Sequence, residues 1–236
     1  DAALAMAMGH VILKEYYLDK ETPFFTDYVK EFTDMPFLIR VEEENGYLQP
    51  GRFLNAKDLG KGGEYSEFKQ VLIDENSKTL VIPNGTLGDR HGNPQKWNLK
   101  MENSETGAPI SPQLSVYDQR ENVAIVKLPY FGDTEHEGMI DRAIPTITVQ
   151  TADGPVQVTT VFDLLVASYG LDRGLGGEVA TSYEDNVPYT PAWQEKITGV
   201  KAEVAISTAR EFADNSIKTK GRSMIIMGGG INHWYH

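Results

Sequence analysis

Between Phe37 and Thr160 the sequence consists of short β-branched runs separated by turn residues, and on both sides of that stretch the apolar period changes to that of helices. This texture calls for an α/β chain in which a β-rich segment is inserted between helical parts. Phe37 to Glu42 and Tyr47 to Leu54 flank Asn45-Gly46, the dipeptide of a two-residue hairpin turn, while Gln70 to Asp74 and Thr79 to Ile82 flank a second polar turn. Glu121 to Leu128 continues the pattern. Thr146 to Gln150 and Val156 to Thr160 follow, joined across Asp153-Gly154. The stretch from Gly85 to Pro112 is rich in Gly, Asn and Pro and has little period, which predicts surface loops around Trp97.

Asp1 to about Leu18 is predicted to be a helix, because an acidic start complements the helix dipole and Ala, Leu and Met have high helix propensity. Gly9 and the alanines suit it to close packing. Thr22-Pro23 opens a second helix with Thr22 as N-cap, ended by Pro36, and its Phe24, Tyr28 and Phe32 stripe reads as core. After Thr160 the expected order is a helix over Val161 to Tyr169, a Gly-rich loop through Arg173 to Gly177, and a helix over Ala192 to Ile197 stopped at Gly199. A longer helix spans Lys201 to Asp214, with Val204, Ala205, Thr208, Ala209, Phe212 and Ala213 on its buried face. Ser223 to Met227 is a continuous apolar run, the pattern of a buried strand. Residues 1–36, 37–160 and 161–236 are thus read as a helical end, a β-rich insertion, and a helical region leading into a strand and a Gly-rich loop.

The charge balance narrows the partners. Lys and Arg number 22 against 34 Asp and Glu, a net −12 spread along the chain, which disfavours nucleic acid and anionic lipid surfaces. Glu42-Glu43-Glu44 is read as a solvated strand end. The longest apolar stretches fall short of the roughly 20 residues that cross a bilayer, so direct membrane insertion is not expected. With 40% hydrophobic residues there is material for a packed core. There is no cysteine, which removes disulfides, thiolate zinc and all-cysteine iron–sulfur ligation from this segment. Because the first residue is Asp1 and not Met, the N-terminus reads as a cut inside a longer chain.

Glycines at the end of a buried strand let the backbone approach a ligand and aim N–H groups at a phosphate. Gly228-Gly229-Gly230-Ile231-Asn232-His233 is such a sequence, without matching the dinucleotide GxGxxG pattern. On spacing alone, a phosphate contact and a plain glycine turn both stand. His233 and His236 are three apart but have no third donor at ligand spacing, so no metal site is predicted. His10, His91 and His136 are read as surface or internally satisfied side chains. No motif for nucleophilic, metalloprotease or nucleotide-hydrolysing chemistry appears, and no catalytic residue is assigned.

Several stretches resemble one family: DAALAMAMGHVILKE at Asp1, TDYVKEFTDMPFL at Thr26, VTTVFDLLVASYGLDRGL at Val158, ATSYEDNVPYTPAWQEKITGV at Ala180 and GRSMIIMGGGINHWYH at Gly221. The middle is matched more loosely, through PNGTLGDR and KLPYFG. These are similar to the α subunit of respiratory, membrane-bound nitrate reductases, within the molybdenum bis-MGD (molybdopterin guanine dinucleotide) oxidoreductases. The resemblance implies an internal piece of a catalytic subunit that reduces nitrate to nitrite with quinol electrons, in anaerobic respiration and nitrate assimilation. It implies parts of Rossmann-like molybdopterin dinucleotide-binding domains around the β-rich insertion. Molybdenum bis-MGD and a 4Fe-4S cluster would belong to the intact subunit, with none bound to this piece, which would be inactive alone.

The implied partners are an iron–sulfur β subunit and a haem-containing membrane γ subunit, holding the complex at the cytoplasmic face of the plasma membrane. In the resemblance Asp1 occupies the position of an acidic residue that binds guanine, and a carboxylate can accept two N–H bonds from that base. Gly228, Gly229, Gly230, Asn232 and His233 match the loop that approaches the pterin cofactor. The metal-coordinating Asp and the cluster ligands fall outside these residues. Two alternatives remain: another enzyme of the same superfamily, acting on chlorate, selenate or a hydrocarbon, and a non-catalytic binding module.

Overall fold

The structure, a computed structural model, describes residues 2–84, 100–130 and 138–226. In chain order it contains α1 (Ala2–Ile12), which runs on into a π-helical turn (Leu13–Leu18), α2 (Pro23–Phe32), and the strands β1 (Leu38–Glu44) and β2 (Tyr47–Phe53). The short strands β3 (Leu72–Ile73), β4 (Leu80–Val81), β5 (Pro83–Asn84) and β6 (Lys100–Asn103) come next. The order closes with β7 (Asn122–Pro129), β8 (Met139–Thr151), β9 (Gly154–Thr160), α3 (Val161–Ser168), α4 (Pro191–Thr198) and α5 (Ala202–Thr219). Two compact units result, one of Asp1–Thr26 with Val166–His236 and one of Asp27–Leu165.

The second unit is built on a mixed five-stranded sheet closed into a barrel in the order β1-β2-β7-β8-β9. All its pairings are antiparallel except β2 with β7, a parallel contact at Leu48 and Val126. The β1–β2 hairpin turns at Asn45 (φ 56°) and Gly46 (φ 82°), the two positive φ angles that a type I′ turn demands and that Asn and Gly tolerate. β3 and β4 pair as the second predicted hairpin. Strand β8 starts earlier than the sequence indicates, pairing with β7 from Pro129–Met139 to Asn122–Thr146 before pairing with β9 from Ile147 onward. Pro145 lies where β8 pairs with β7 alone, opposite Val123, ahead of the start of its ladder with β9 at Ile147.

Alternation sorts the side chains of β8. Ile140, Arg142 and Ile144 lie opposite Leu128, Val126 and Ala124 on one buried face. The face carrying Ile147 and Val149 packs with Leu38, Leu54, Val71, Ile73, Val116 and Val158. At the β9–α3 junction, the Thr160 hydroxyl accepts from the Asp163 N–H (3.0 Å) and donates to its carboxylate (2.9 Å). Asp163 is buried, and it also accepts from Ser115 Oγ (2.6 Å) and Val116 N (2.9 Å), which offsets the cost of placing a carboxylate there.

The first unit is helical among its described residues, with one isolated bridge between Leu171 and Ala180. Thr190 caps α4 by accepting from Trp193 N (3.1 Å), with Pro191 at the first helical position.

Besides the early start of β8, four expectations need correction, the first being that the stretch from Gly85 to Pro112, read as surface loops, holds β6, which pairs with β5. The α2 aromatic stripe is not core: Tyr28 and Phe32 are exposed and lie against each other at 5.1 Å, while Val29 is the buried residue of that helix. The α5 stripe is narrower than predicted and the helix longer, since Ala205, Ala209, Ala213 and Ser216 are buried while Val204 and Thr208 are exposed. Small residues set that contact because they let neighbouring helices approach closely, leaving the larger side chains at its margin. Ser223–Ile226 forms no strand, because no strand of the first unit, among its described residues, offers it a ladder. Met227, the last residue of that run, lies outside the described residues.

Leu38 is fully buried in the core beneath β8, so Leu38→Ala should destabilise the β unit by about 2–5 kcal/mol, the range for removing a buried leucine side chain. Urea unfolding followed by intrinsic fluorescence checks this, with a lower midpoint and an unchanged slope as the expected result.

Candidate functional site

The residues singled out from the sequence, Asp1, Gly228, Gly229, Gly230, Asn232 and His233, lie outside the described residues. The described residues do show what carries them. Asp1 directly precedes α1, and the glycines follow the segment that leaves α5. These helices belong to one unit and pack on each other.

Their contact has an apolar and a polar part. Ala3, Ala7 and Val11 of α1 are buried, as are Ala205, Ala209 and Ala213 of α5. Gly9 is fixed by close approach, since a Cβ there would stand 2.5 Å from the ring of Tyr169. His10 is buried, its Nδ1 lies 2.7 Å from the Tyr169 carbonyl, and its ring meets Tyr183 edge-on, which makes it a satisfied internal histidine. Tyr169, Tyr189 and Trp193 continue as an edge-to-face aromatic column.

The polar part begins in the π-helical turn, which sends the adjacent residues Glu15 and Tyr16 to the same partner helix. Arg210 donates to both carboxylate oxygens of Glu15, at 3.0 Å from Nε and 2.6 Å from Nη2, and the Tyr183 hydroxyl donates to it at 2.9 Å. The guanidinium holds the Glu15 carboxyl below its usual range, against the opposing effect of burial. Tyr16 donates to Asp214 at 2.6 Å, and burial followed by that carboxylate pushes its hydroxyl pKa upward. For Tyr183, burial and then Glu15 act in the same direction. These residues form a structural clamp with no free nucleophile, acid or base. Sequence reading missed it because the partners are 195 and 198 residues apart.

The β unit holds a second charged cluster. Asp58 is buried and accepts from Arg52 Nη1 (2.6 Å) and from the N–H of Asn55 (3.0 Å), with Arg40 at 3.4 Å. Asn55 reciprocates by accepting from Asp58 N (3.1 Å). The Arg52 hydrogen bond, ahead of the opposing burial, lowers the Asp58 carboxyl pKa. Both arginines are engaged by carboxylates, Arg40 also by Glu42 at 3.3 Å, so the cluster ties a loop to the barrel. Among the described residues, no group of three or more His, Cys, Asp or Glu side chains could hold a metal ion.

No protein-family model matches the chain. It is 48% identical over 236 residues, its whole length, to the nitrate reductase alpha chain of Bacillus subtilis (strain 168), covering 19% of that protein. It is 49% identical to the respiratory nitrate reductase 1 alpha chain of Escherichia coli (strain K12) over 249 aligned residues, 100% of this chain and 20% of that one. The chain belongs to the respiratory nitrate reductase alpha-chain family. It spans about a fifth of the length of these nitrate reductase alpha chains. A more distant likeness, 30% identity over 238 residues, relates this nitrate reductase family member to the perchlorate reductase subunit alpha of Dechloromonas aromatica (strain RCB), again covering 19% of that protein.

The donor set at the two flanks suits a guanine dinucleotide chemically. A carboxylate accepts from two guanine N–H groups, and consecutive glycines present unshielded backbone N–H groups to phosphate oxygens.

The clamp has a pH signature. Because the folded-state pKa of Glu15 is lowered from 4.5, its contribution is present above that pH and is lost as pH falls through the folded value. Glu15→Gln should therefore be less stable than the parent chain at neutral pH. The difference should shrink steadily as pH falls below 4.5. Thermal unfolding of both chains across that range is the check.

Proposed function

We propose that the chain is part of the catalytic α subunit of a respiratory nitrate reductase, which takes nitrate to nitrite using electrons from a quinol. The observation that carries this is the 48–49% identity, sustained over the whole chain, to nitrate reductase alpha chains from two distant bacteria. The reaction consumes two electrons and two protons per nitrate and yields nitrite and water. Molybdenum bis-MGD, when bound, supplies the oxygen acceptor and the two-electron exchange that no amino-acid side chain offers.

This chain's part is to hold the cofactor. In this proposal the Asp1 carboxylate accepts from guanine. Gly228, Gly229 and Gly230 bring backbone N–H groups to the dinucleotide, and Asn232 and His233 add side-chain donors. The helical unit is then a piece of Rossmann-like cofactor-binding domains, and residues 37–160 are an insertion. The cysteine ligands of the 4Fe-4S cluster come from other parts of the polypeptide, since these 236 residues contain no cysteine, and the family likeness puts the metal-coordinating Asp there as well. The 236 residues alone are therefore inactive toward nitrate.

The partners in this reading are an iron–sulfur β subunit and a haem-containing membrane γ subunit at the cytoplasmic face of the plasma membrane. No described helix is long and apolar enough to cross a membrane.

A second reading has its own support in the 30% identity to a perchlorate reductase subunit, namely a related enzyme acting on another oxyanion. The two separate in one experiment on the full-length polypeptide that contains these residues. Molybdenum and guanine nucleotide are quantified, and turnover of nitrate and of perchlorate is followed with a reduced dye as electron donor. Bound cofactor with preferential nitrate reduction is the expected result. Preferential perchlorate reduction establishes the second reading, and a full-length protein that binds no molybdenum sinks both. In the same background Asp1→Ala should lower guanine nucleotide content severalfold, with molybdenum falling in parallel.

A further inference from the structure

The buried small-residue face of α1 repeats every four residues, as Ala3, Ala7 and Val11, and so does that of α5, as Ala205, Ala209 and Ala213. Residues four apart lie one above the other on the same side of a helix. Sliding α1 along α5 by four residues, about 6 Å, would therefore set small side chains against small side chains again. Such a contact brings the helices close but discriminates weakly between registers. Gly9 does not decide the register on α5, because the ring it approaches belongs to Tyr169, outside that helix.

The polar pairs do decide it. Glu15 and Tyr16 are neighbours in the π-helical turn, and they reach Arg210 and Asp214, which are four apart on α5. The Arg210 guanidinium meets both Glu15 oxygens, at 3.0 Å from Nε and 2.6 Å from Nη2, and a fork of this kind fixes direction as well as distance. Tyr16 is 2% exposed and its hydroxyl donates to Asp214 at 2.6 Å, so a slip of one turn would strand a buried hydroxyl and part the ion pair together. Helix α1 passes from Ile12 directly into the π-helical turn at Leu13. A register set at Glu15 is thus carried along a continuous helix to its first residue, which Asp1 precedes.

We propose that Glu15, Tyr16, Arg210 and Asp214 are positioning residues for the guanine dinucleotide: by fixing the register of α1 on α5 they set where the Asp1 carboxylate meets guanine. The inference rests on the reading that Asp1 accepts from that base. None of the four touches the cofactor in this assignment, and all act through α1.

Guanine nucleotide bound per full-length polypeptide, measured after gel filtration, tests this. Tyr16→Phe removes one hydroxyl and keeps the ring, and Arg210→Gln removes the charge and the fork. Each should lower the content at least ~2-fold, the low end of coupling between linked residues. Combined with Asp1→Ala, neither should lower it further, because the group they place is gone. A loss of the same fold with and without Asp1 would overturn the proposal, since general weakening of the helical unit does not depend on that carboxylate. Parent-level content in both variants would overturn it too, and with nucleotide present in the parent that result defeats the positioning role alone. A full-length parent that holds no guanine nucleotide defeats the cofactor reading and this inference with it.

Discussion

Strand β8 is the element on which the β unit depends. It pairs with β7 over its first eight residues and with β9 over its last five, so one 13-residue strand carries the ladder from one neighbour to the other. Side-chain alternation continues through the change of partner. The same strand therefore contributes Ile140 and Ile144 to one buried face and Ile147 and Val149 to the other. A one-residue slip would exchange these sets between the two faces and break the packing of both. Arg142 is buried for the same reason: its register position opposite Val126 leaves it nowhere else to point.

Most of the element order was legible in the sequence, for local reasons. Asn45-Gly46, Thr190-Pro191 and the α5 alanines each specify their own turn, cap or packing face, and the structure uses all three. Failures came where a neighbour decided. Asp141, Arg142 and Pro145 lie ahead of the strand expected from Thr146, and they join it because β7 is beside them. The Tyr28 and Phe32 pair has the spacing of a core stripe, but no described partner buries it. Mixed α/β architecture follows from the texture, whereas closure of five strands into a barrel has no local signature.

The candidate site was legible in a different way. The Gly228 to His233 loop came to notice through its glycines and Asp1 through likeness to a family, and the comparison over the whole chain places the chain in that family. Composition could not have done so, since a net charge of −12 gives no hint of an anionic substrate or of a cofactor rich in phosphate. The Glu15–Arg210 and Tyr16–Asp214 pairs were invisible because each joins opposite ends of the sequence. Helical period shows which face of α1 is buried, but not which distant residue meets it.

That separation sets an order of assembly. Residues 27–165 are continuous, so the β unit has all its strands before the residues from Val166 onward leave the ribosome. The helical unit cannot close until Arg210 has been made, 195 residues after Glu15, and until then α1 waits with its alanine face uncovered. Folding the intervening stretch first shortens the effective loop that α1 and α5 must close, which lowers the entropic cost of bringing the two ends together. The inserted unit is in this sense a tether for the helices that flank it.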